Sequence, residues 1–293
     1  MLTPAHIATA VSAALAEDAP WGDITVHALI PVEATASATL VAREAGVLSG
    51  IDVFAAAFRL TDAEVLVDLH AEDGEAFAAG DVLATVTGPA GSVLTAERVA
   101  LNFTQRMSGI ASLTRSYVDA VAHTSARITD TRKTTPGLRA FERHAVASGG
   151  GRNHRFSLSD AVMAKDNHLA VLLQQSGLGV TDALLAARAR LGHTTHVEVE
   201  VDRLDQIPAV LDAGVDTIML DNFSLSELRE GVALIAGRAV VEASGGVSLE
   251  TVAAIAETGV DVISVGALTH SARAIDLGLD MSLEVGPVSD TGA

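Results

Sequence analysis

The sequence predicts an α/β protein: a C-terminal (β/α) barrel preceded by a small α+β open-faced sandwich domain. Three observations lead there. From about residue 128, short apolar runs rich in β-branched residues alternate with amphipathic segments. Several of those runs end in a polar residue or a glycine. The first 110 residues or so lack this alternation and are punctuated by turn residues instead.

Taken in chain order, residues 3–16 form an amphipathic helix that stops near Glu17-Asp18-Ala-Pro-Trp-Gly-Asp23. Short strands follow around Ala36–Arg43, Glu64–Leu69 and Asp81–Val86, with Gly74 and Gly80-Asp81 at turns. Glu72–Asp81 looks like a turn of a biotinyl or lipoyl carrier domain, but no lysine precedes Lys133, so there is nothing to modify. A helix from Thr95 to about Ala122 then links the two halves.

In the second half, strands are expected at His196–Val201, Thr217–Asp221, Ala239–Ser244 and Val260–Val265. Helices fall between them at Leu204–Ala213, Ser226–Ala236 and Leu249–Glu257. Apolar runs of about five residues joined by helical crossovers are parallel strands covered on both faces. Glu200, Asp221, Ser244 and Gly266 stand at or near the strand ends, spaced by 21, 23 and 22 residues. In a barrel those ends converge on the face that holds the active site. An open doubly wound sheet also places ligands at strand ends. The uninterrupted run of units, with no Gly-x-Gly-x-x-Gly opening the first helix, favours the barrel. The expected division is 1–110, an α+β domain; 111–275, the barrel; and 276–293, a segment returning to the first domain.

Nearly half of the 293 residues are hydrophobic, as in a globular protein. There are no cysteines, which excludes disulfides, thiolate zinc sites and a cysteine nucleophile. No stretch reads as a membrane span, and the start lacks the basic region of a signal peptide, so a cytoplasmic location is expected. A net charge of −18 argues against nucleic acid as a partner. Between Arg127 and His168, however, eight Arg and Lys face four acids, so this block is +4 and the rest −22 (−18 − 4). Both lysines of the chain, Lys133 and Lys165, lie inside it. Such a focus is either a pocket for small anions or a basic surface patch paired with its neighbours.

Within the block, Thr131-Arg132-Lys133 follows a strand end, and Arg and Lys there could clamp a carboxylate or phosphate. Gly149-Gly-Gly-Arg-Asn-His154-Arg155 lets backbone amides approach an anion. Lys165 ends an apolar strand, where it needs either an anionic ligand or a salt bridge to Asp160 or Asp166. Glu200 and Asp221 could hold Mg²⁺, stabilise positive charge at a sugar carbon, or pair with a lysine. Glu198 alternates with Glu200 and shares its side of the strand, which leaves the choice between them open. Ser244-Gly245-Gly246 and Gly266 to His270 offer backbone amides just before helices, an arrangement suited to phosphate. His6, His27, His70, His123, His193 and His196 have no clustered partners in the sequence.

These motifs, in this order, resemble the quinolinate phosphoribosyltransferase family along most of the chain. The resemblance begins with Glu17-Asp18, Gly22-Asp23-Ile-Thr25 and Asn102-Phe-Thr-Gln105-Arg106-Met-Ser108-Gly109-Ile-Ala111. It continues through Thr131-Arg132-Lys133-Thr-Thr-Pro136-Gly137, Gly149 to Arg155 and Lys165-Asp-Asn-His168. Glu198-Val-Glu200, Leu220-Asp221-Asn222-Phe223, Ser244-Gly-Gly246 and Gly266-Ala-Leu-Thr-His270-Ser271 complete it.

The resemblance implies that quinolinate and phosphoribosyl pyrophosphate give nicotinate mononucleotide, pyrophosphate and carbon dioxide, with Mg²⁺. It implies that Arg132, His154, Arg155 and Lys165 hold the two carboxylates of quinolinate, with Thr131 beside them. Lys133, Glu200 and Asp221 face ribose, pyrophosphate and metal, with Glu200 and Asp221 as the metal carboxylates. Ser244, Gly245, Gly246, Gly266 and His270 line the 5′-phosphate site. It also implies a homodimer with shared active sites, Arg106 reaching the partner's site, and leaves a higher oligomer open. Three rival functions are a paralogue with another acceptor, a barrel lyase with Lys133 or Lys165 as Schiff base, and a silent ligand-binding protein.

Overall fold

The computed structural model describes residues 2–284. Helix α1 (Pro4–Asp18) opens on Thr3, whose hydroxyl accepts from the His6 amide, and α2 (Ile24–Leu29) opens on Asp23, which accepts from the amides of Thr25 and Val26. Next come β1 (Thr35–Ala42), β2 (Gly46–Val47), α3 (Ile51–Thr61), β3 (Leu66–Leu69), β4 (Ala76–Phe77) and β5 (Val82–Pro89). The long helix α4 (Ala90–Val121) leads to β6 (Arg127–Thr129), α5 (Arg139–Ser148), β7 (Val162–Ala164), α6 (Asp166–Ser176) and α7 (Val180–Arg188). The chain then alternates β8 (Val197–Val201), α8 (Ile207–Asp212), β9 (Thr217–Asp221), α9 (Leu225–Ile235), β10 (Val240–Ser244), α10 (Val252–Ala256), β11 (Val262–Ser264) and α11 (Ala267–His270). It ends in β12 (Leu277–Glu284).

Among the described residues two compact units result: 2–113, 135–150 and 272–284 form the first, and 114–134 with 151–271 the second. Residues 135–150 group with the first unit. Packing and hydrogen bonds account for that excursion. Phe141 of α5 stacks on Phe103 at 5.4 Å, His144 binds Asp73 at 2.6 Å, and Ser148 binds Ser49 at 2.9 Å.

The first unit holds an antiparallel sheet in the order β12-β1-β5-β3. Along β1, Ala36, Ala38, Leu40 and Ala42 are buried and alternate with more exposed residues, the period-two pattern of a sheet with one covered face. Strand β12 pairs with β1 from Thr35↔Glu284 to Ala42↔Leu277, which brings the end of the described chain back to this unit. Residues 285–293 of the expected returning segment lie outside the described residues. Helix α3 buries one broad apolar face and leaves Asp52 and Arg59 exposed, with Phe54 and Phe58 packed edge to face at 5.0 Å.

In the second unit six parallel strands run in the order β6-β11-β10-β9-β8-β7. A parallel bridge from Thr129 to Arg152 extends the sheet past β6. Residues from both ends of this sheet, Thr131 after β6 and Lys165 after β7, line one cavity, so the sheet curls into a barrel. Side chains on alternate residues of each strand therefore form layers inside it. Lys165, Glu200, Asp221 and Ser244 make the mouth. Two residues earlier on each strand stand Met163, Glu198, Met219 and Glu242, with Ser264 the matching residue on β11.

Candidate active site

A cavity of about 430 Å³ opens at the C-terminal ends of the strands. It is lined by Thr131, Arg132, Lys133, His154, Arg155, Lys165, Glu200, Asp221 and Ser244. Both lysines of an acidic chain thus face one space. Met163, Met219, Glu242 and Ser264 complete the lining. The sequence did not single out these four, although each lies two residues before a strand end that it did, and that parity was the signal available.

Tight turns position the mouth groups. The Lys133 amide donates to Thr131 Oγ1 at 3.0 Å, and its carbonyl accepts from Thr269 Oγ1 at 2.6 Å. A Cβ on Gly266 would lie 3.2 Å from Lys133 Cδ and 3.1 Å from the His270 ring, so glycine leaves room for both side chains. Gly245 has φ +93°, and a Cβ there would overlap the side chain of Asn222. Asn222 is itself left-handed at φ 60°; its amide donates to Ser244 O at 2.9 Å and its side chain to Asp221 Oδ2 at 2.7 Å. The Asp221 and Ser244 turns therefore interlock.

Of the expected phosphate residues, Ser244 lines the cavity. Gly245, Gly246, Gly266 and His270 are not in its lining, and Gly266 adjoins it through the Lys133 stem. The helices that follow, α10 and α11, have only five and four residues, so backbone amides rather than a long helix dipole are what these loops offer. Arg106 belongs to the first unit, where Nη2 meets Glu142 at 2.9 Å and Nη1 meets the Ala272 carbonyl at 2.8 Å.

Lys165 pairs with Glu200 rather than with Asp160 or Asp166. Asp160 instead accepts from the Phe156 amide at 2.6 Å, and Asp166 from Asn167 at 2.7 Å. Glu200 is the carboxylate at the mouth. Glu198 lies a layer deeper, with its side chain 4% exposed.

Beneath the mouth, His154 Nε2 stands 3.1 Å from Glu198 Oε2 and 3.5 Å from Glu242 Oε2. Its Nδ1 accepts from the Arg155 amide at 2.8 Å. The backbone amide of His154 donates to the fully buried Asp130 at 2.7 Å, and Asn153 binds the other Asp130 oxygen at 2.7 Å. Burial opposes charge on the imidazole, but the hydrogen bonds to Glu198 and Glu242 outweigh it, and the proton affinity of the His154–carboxylate group as a whole is raised, for His154 to about 10. Burial first, then the charge of Glu242, raises Glu198 as well. An imidazolium would carry hydrogen on Nδ1 also, where the Arg155 amide needs a lone pair. The geometry therefore places the extra proton of the group between Nε2 and the carboxylates, with Nδ1 an acceptor. The Arg155 guanidinium is held by the Ala161 carbonyl at 2.8 Å, and burial with the nearby Arg132 charge lowers its pKa.

Cations and carboxylates gathered at the end of an α/β barrel, where catalytic groups collect, define a barrel enzyme that acts on polyanions. Comparison with known proteins narrows the class. The N-terminal domain profile of quinolinate phosphoribosyl transferase matches residues 23–108 and the C-terminal domain profile residues 110–280. The chain is 44% identical over 277 residues to the nicotinate-nucleotide pyrophosphorylase [carboxylating] of Mycobacterium leprae, covering 92% of this chain and 94% of the relative. To the probable enzyme of that name from Bacillus subtilis it is 40% identical, covering 91% and 90%. The crystal structure of NadC from Streptococcus pyogenes superposes with a TM-score of 0.92 at 43% identity, over 97% of this chain and 99% of that one. The chain belongs to the quinolinate phosphoribosyltransferase family.

Proposed function

We propose that this enzyme transfers the phosphoribosyl group of phosphoribosyl pyrophosphate to quinolinate, with decarboxylation, in NAD biosynthesis. The observation that carries this is the cavity itself: Arg132, Lys133, Arg155 and Lys165 converge opposite Glu200 and Asp221 in a chain of net charge −18. Acceptor and donor are both polyanions and need a local excess of cations. Arg132, Arg155 and Lys165 suit the two carboxylates of the acceptor, with His154 and Thr131 beside them. Lys133 suits the pyrophosphate and ribose. The Ser244-Gly245-Gly246 turn, with Gly266 and His270, suits the 5′-phosphate.

The ring nitrogen of quinolinate forms a bond to the anomeric carbon as the bond to pyrophosphate breaks and pyrophosphate leaves with its electron pair. Glu200 and Asp221 stabilise the oxocarbenium character of that carbon. The C2 carboxylate then leaves as carbon dioxide. Its bonding electrons stay on the N-alkylated ring, and C2 takes a proton from the medium. The donor set fits Mg²⁺, because Glu200 and Asp221 are oxygen donors facing one open cavity that leaves room for the ion's waters. Bound there, the ion would neutralise charge on the departing pyrophosphate.

The assembly is read as a homodimer that completes each site with the partner's Arg106. An apolar run in the first unit supports this: Trp21 is 95% and Val32 97% exposed, with Ile24 and Leu29 between them also exposed. No single helix among the described residues is long and apolar enough to cross a membrane. We place the enzyme in the cytoplasm.

Quinolinate consumption with phosphoribosyl pyrophosphate and Mg²⁺ should yield nicotinate mononucleotide and carbon dioxide. No product at millimolar substrate would overturn the proposal. Lys133→Ala and Arg155→Ala should each lower kcat/KM by about 10²- to 10⁴-fold. Arg238→Ala, which removes an exposed residue 3.9 Å from Asp212, should leave turnover unchanged. Mixing Arg106→Ala with Lys133→Ala subunits should restore activity, and no rescue despite proven subunit exchange would rule out a shared site.

A further inference from the structure

Behind the active-site cavity, the same barrel contains a second one of about 480 Å³, opening toward the N-terminal ends of the strands. His196, Thr217, Val240 and Val262 line it from the strand starts, and Glu198 lines its inner wall. His154, Arg155 and Glu242 line both cavities and so form the partition between them. That partition is built unlike the rest of its layer. Met163 and Met219 fill neighbouring positions with apolar volume, whereas Glu198 and Glu242 place two carboxylates a few ångströms apart in the interior. Each is at most 5% exposed, and Oε1 of each has no hydrogen-bond partner among the described residues. Packing alone does not call for this, since buried charges are generally matched or bettered in stability by apolar residues of similar size.

The ring of His154 shows what the carboxylates hold. A ring nitrogen that accepts the Arg155 amide has no hydrogen of its own, so the ring hydrogen lies on Nε2 and points between Glu198 and Glu242. The three ligand atoms lie within 4.8 Å of one another, close enough for a metal ion, but a nitrogen bearing hydrogen has no lone pair to give one. A hydrogen bond, rather than a metal, therefore ties the group together. The tie continues through Nδ1 to the main chain of Arg155, a residue that lines the active-site cavity as well as the second one.

We propose that Glu198 and Glu242 are positioning residues for Arg155: by clamping the His154 ring from below, they set the main-chain and guanidinium orientation with which Arg155 meets a substrate carboxylate. This rests on the function proposed above. It also changes the part assigned to His154, whose ring nitrogens both serve the protein, so that it acts on the substrate through Arg155. The clamp should matter for the carboxylate-bearing acceptor and not for phosphoribosyl pyrophosphate.

Steady-state kinetics of Glu198→Met and Glu198→Gln test this, with Met chosen because the same layer already accommodates it. Loss of a charge-assisted hydrogen bond should raise KM for quinolinate about 10- to 100-fold in Glu198→Met. KM for phosphoribosyl pyrophosphate should stay within about twofold, and Glu198→Gln, which keeps an acceptor for Nε2–H, should recover most of the loss. Nitrogen-15 spectra of the unsubstituted protein should show a His154 ring with hydrogen on Nε2 and a bare Nδ1, and Glu198→Met should mix the tautomers. Equal rises in both KM values, an unchanged KM for quinolinate, or hydrogen resident on Nδ1 would each overturn the clamp. If Glu198→Met does not fold, Glu242→Met takes its place with the same expected split. Absence of turnover by the unsubstituted enzyme would overturn the function instead, while the ring spectrum would still report on the clamp.

Discussion

Glu142 in the first unit and Glu198 with Glu242 in the second are all but inaccessible to water, yet their oxygens keep different company. Glu142 Oε1 accepts from Arg106 Nη2 at 2.9 Å and Thr135 Oγ1 at 2.8 Å, and its Oε2 accepts from the Thr135 amide at 3.0 Å. Both oxygens are committed within the unit. Glu198 and Glu242 share one ring hydrogen on their Oε2 atoms and leave both Oε1 atoms beside cavities. The difference separates two uses of buried charge. Where every lone pair is met, the charge holds the fold. Where lone pairs are left over, the cost of burial is carried for something other than the fold.

The largest effect expected from this contrast is on Glu142. Glu142→Ala would leave Arg106 without its ion pair and the Thr135 amide without an acceptor, a loss of about 3–5 kcal/mol. Urea unfolding should show it as a lower midpoint. A midpoint equal to that of the unsubstituted protein would place Glu142 in the same group as the barrel glutamates and dissolve the contrast.

The same comparison separates what was legible in the sequence from what was not. Strand ends were legible because Glu200, Asp221 and Ser244 each close an apolar run, and a polar residue there has few places to go but the mouth. The choice between Glu198 and Glu200 was not. Parity puts both on one side of β8, and only the depth of the barrel distinguishes mouth from partition. Glu242 stands two residues before Ser244 on β10, so its inward direction was available, but its partner His154 is far away in sequence. In the first unit α3 was not read although its periodic signal was present: Ile51, Phe54, Ala55 and Phe58 are buried on one face while Asp52 and Arg59 stand on the other. The exchange of 135–150 into the first unit depended on Phe141 finding Phe103, a contact between distant segments.

A smaller effect is expected when the partition itself is made apolar. Glu198→Met removes a carboxylate whose Oε1 has no partner and whose Oε2 takes part in one shared hydrogen bond, so unfolding free energy should fall by no more than about 1–1.5 kcal/mol. Chemical denaturation of Glu198→Met and Glu142→Ala side by side gives the ratio. If Glu198→Met is as damaging as Glu142→Ala, the partition is part of the scaffold and the distinction between the two uses of charge is lost.

An exposed carboxylate sets the lower end of the scale. Glu44 accepts from Arg273 at 2.6 and 2.5 Å and from the Asp276 amide at 2.9 Å, at the start of the segment that leads into β12. The hydrogen bond from Arg273, then that from the amide, lowers its pKa from 4.5 to about 2. A carboxylate whose folded pKa is depressed stabilises the native state above its unfolded value, and the contribution disappears as pH falls through the folded one. The stability difference between the unsubstituted protein and Glu44→Gln should therefore be constant at pH 6, shrink below about 4.5 and vanish near pH 2. Added salt should reduce it further, because the pair lies in solvent, where screening is effective. A difference that keeps its full size from pH 6 to pH 2 would mean that Glu44 acts through packing rather than charge. The ordering from buried and satisfied, through buried and unsatisfied, to exposed would then no longer follow electrostatics.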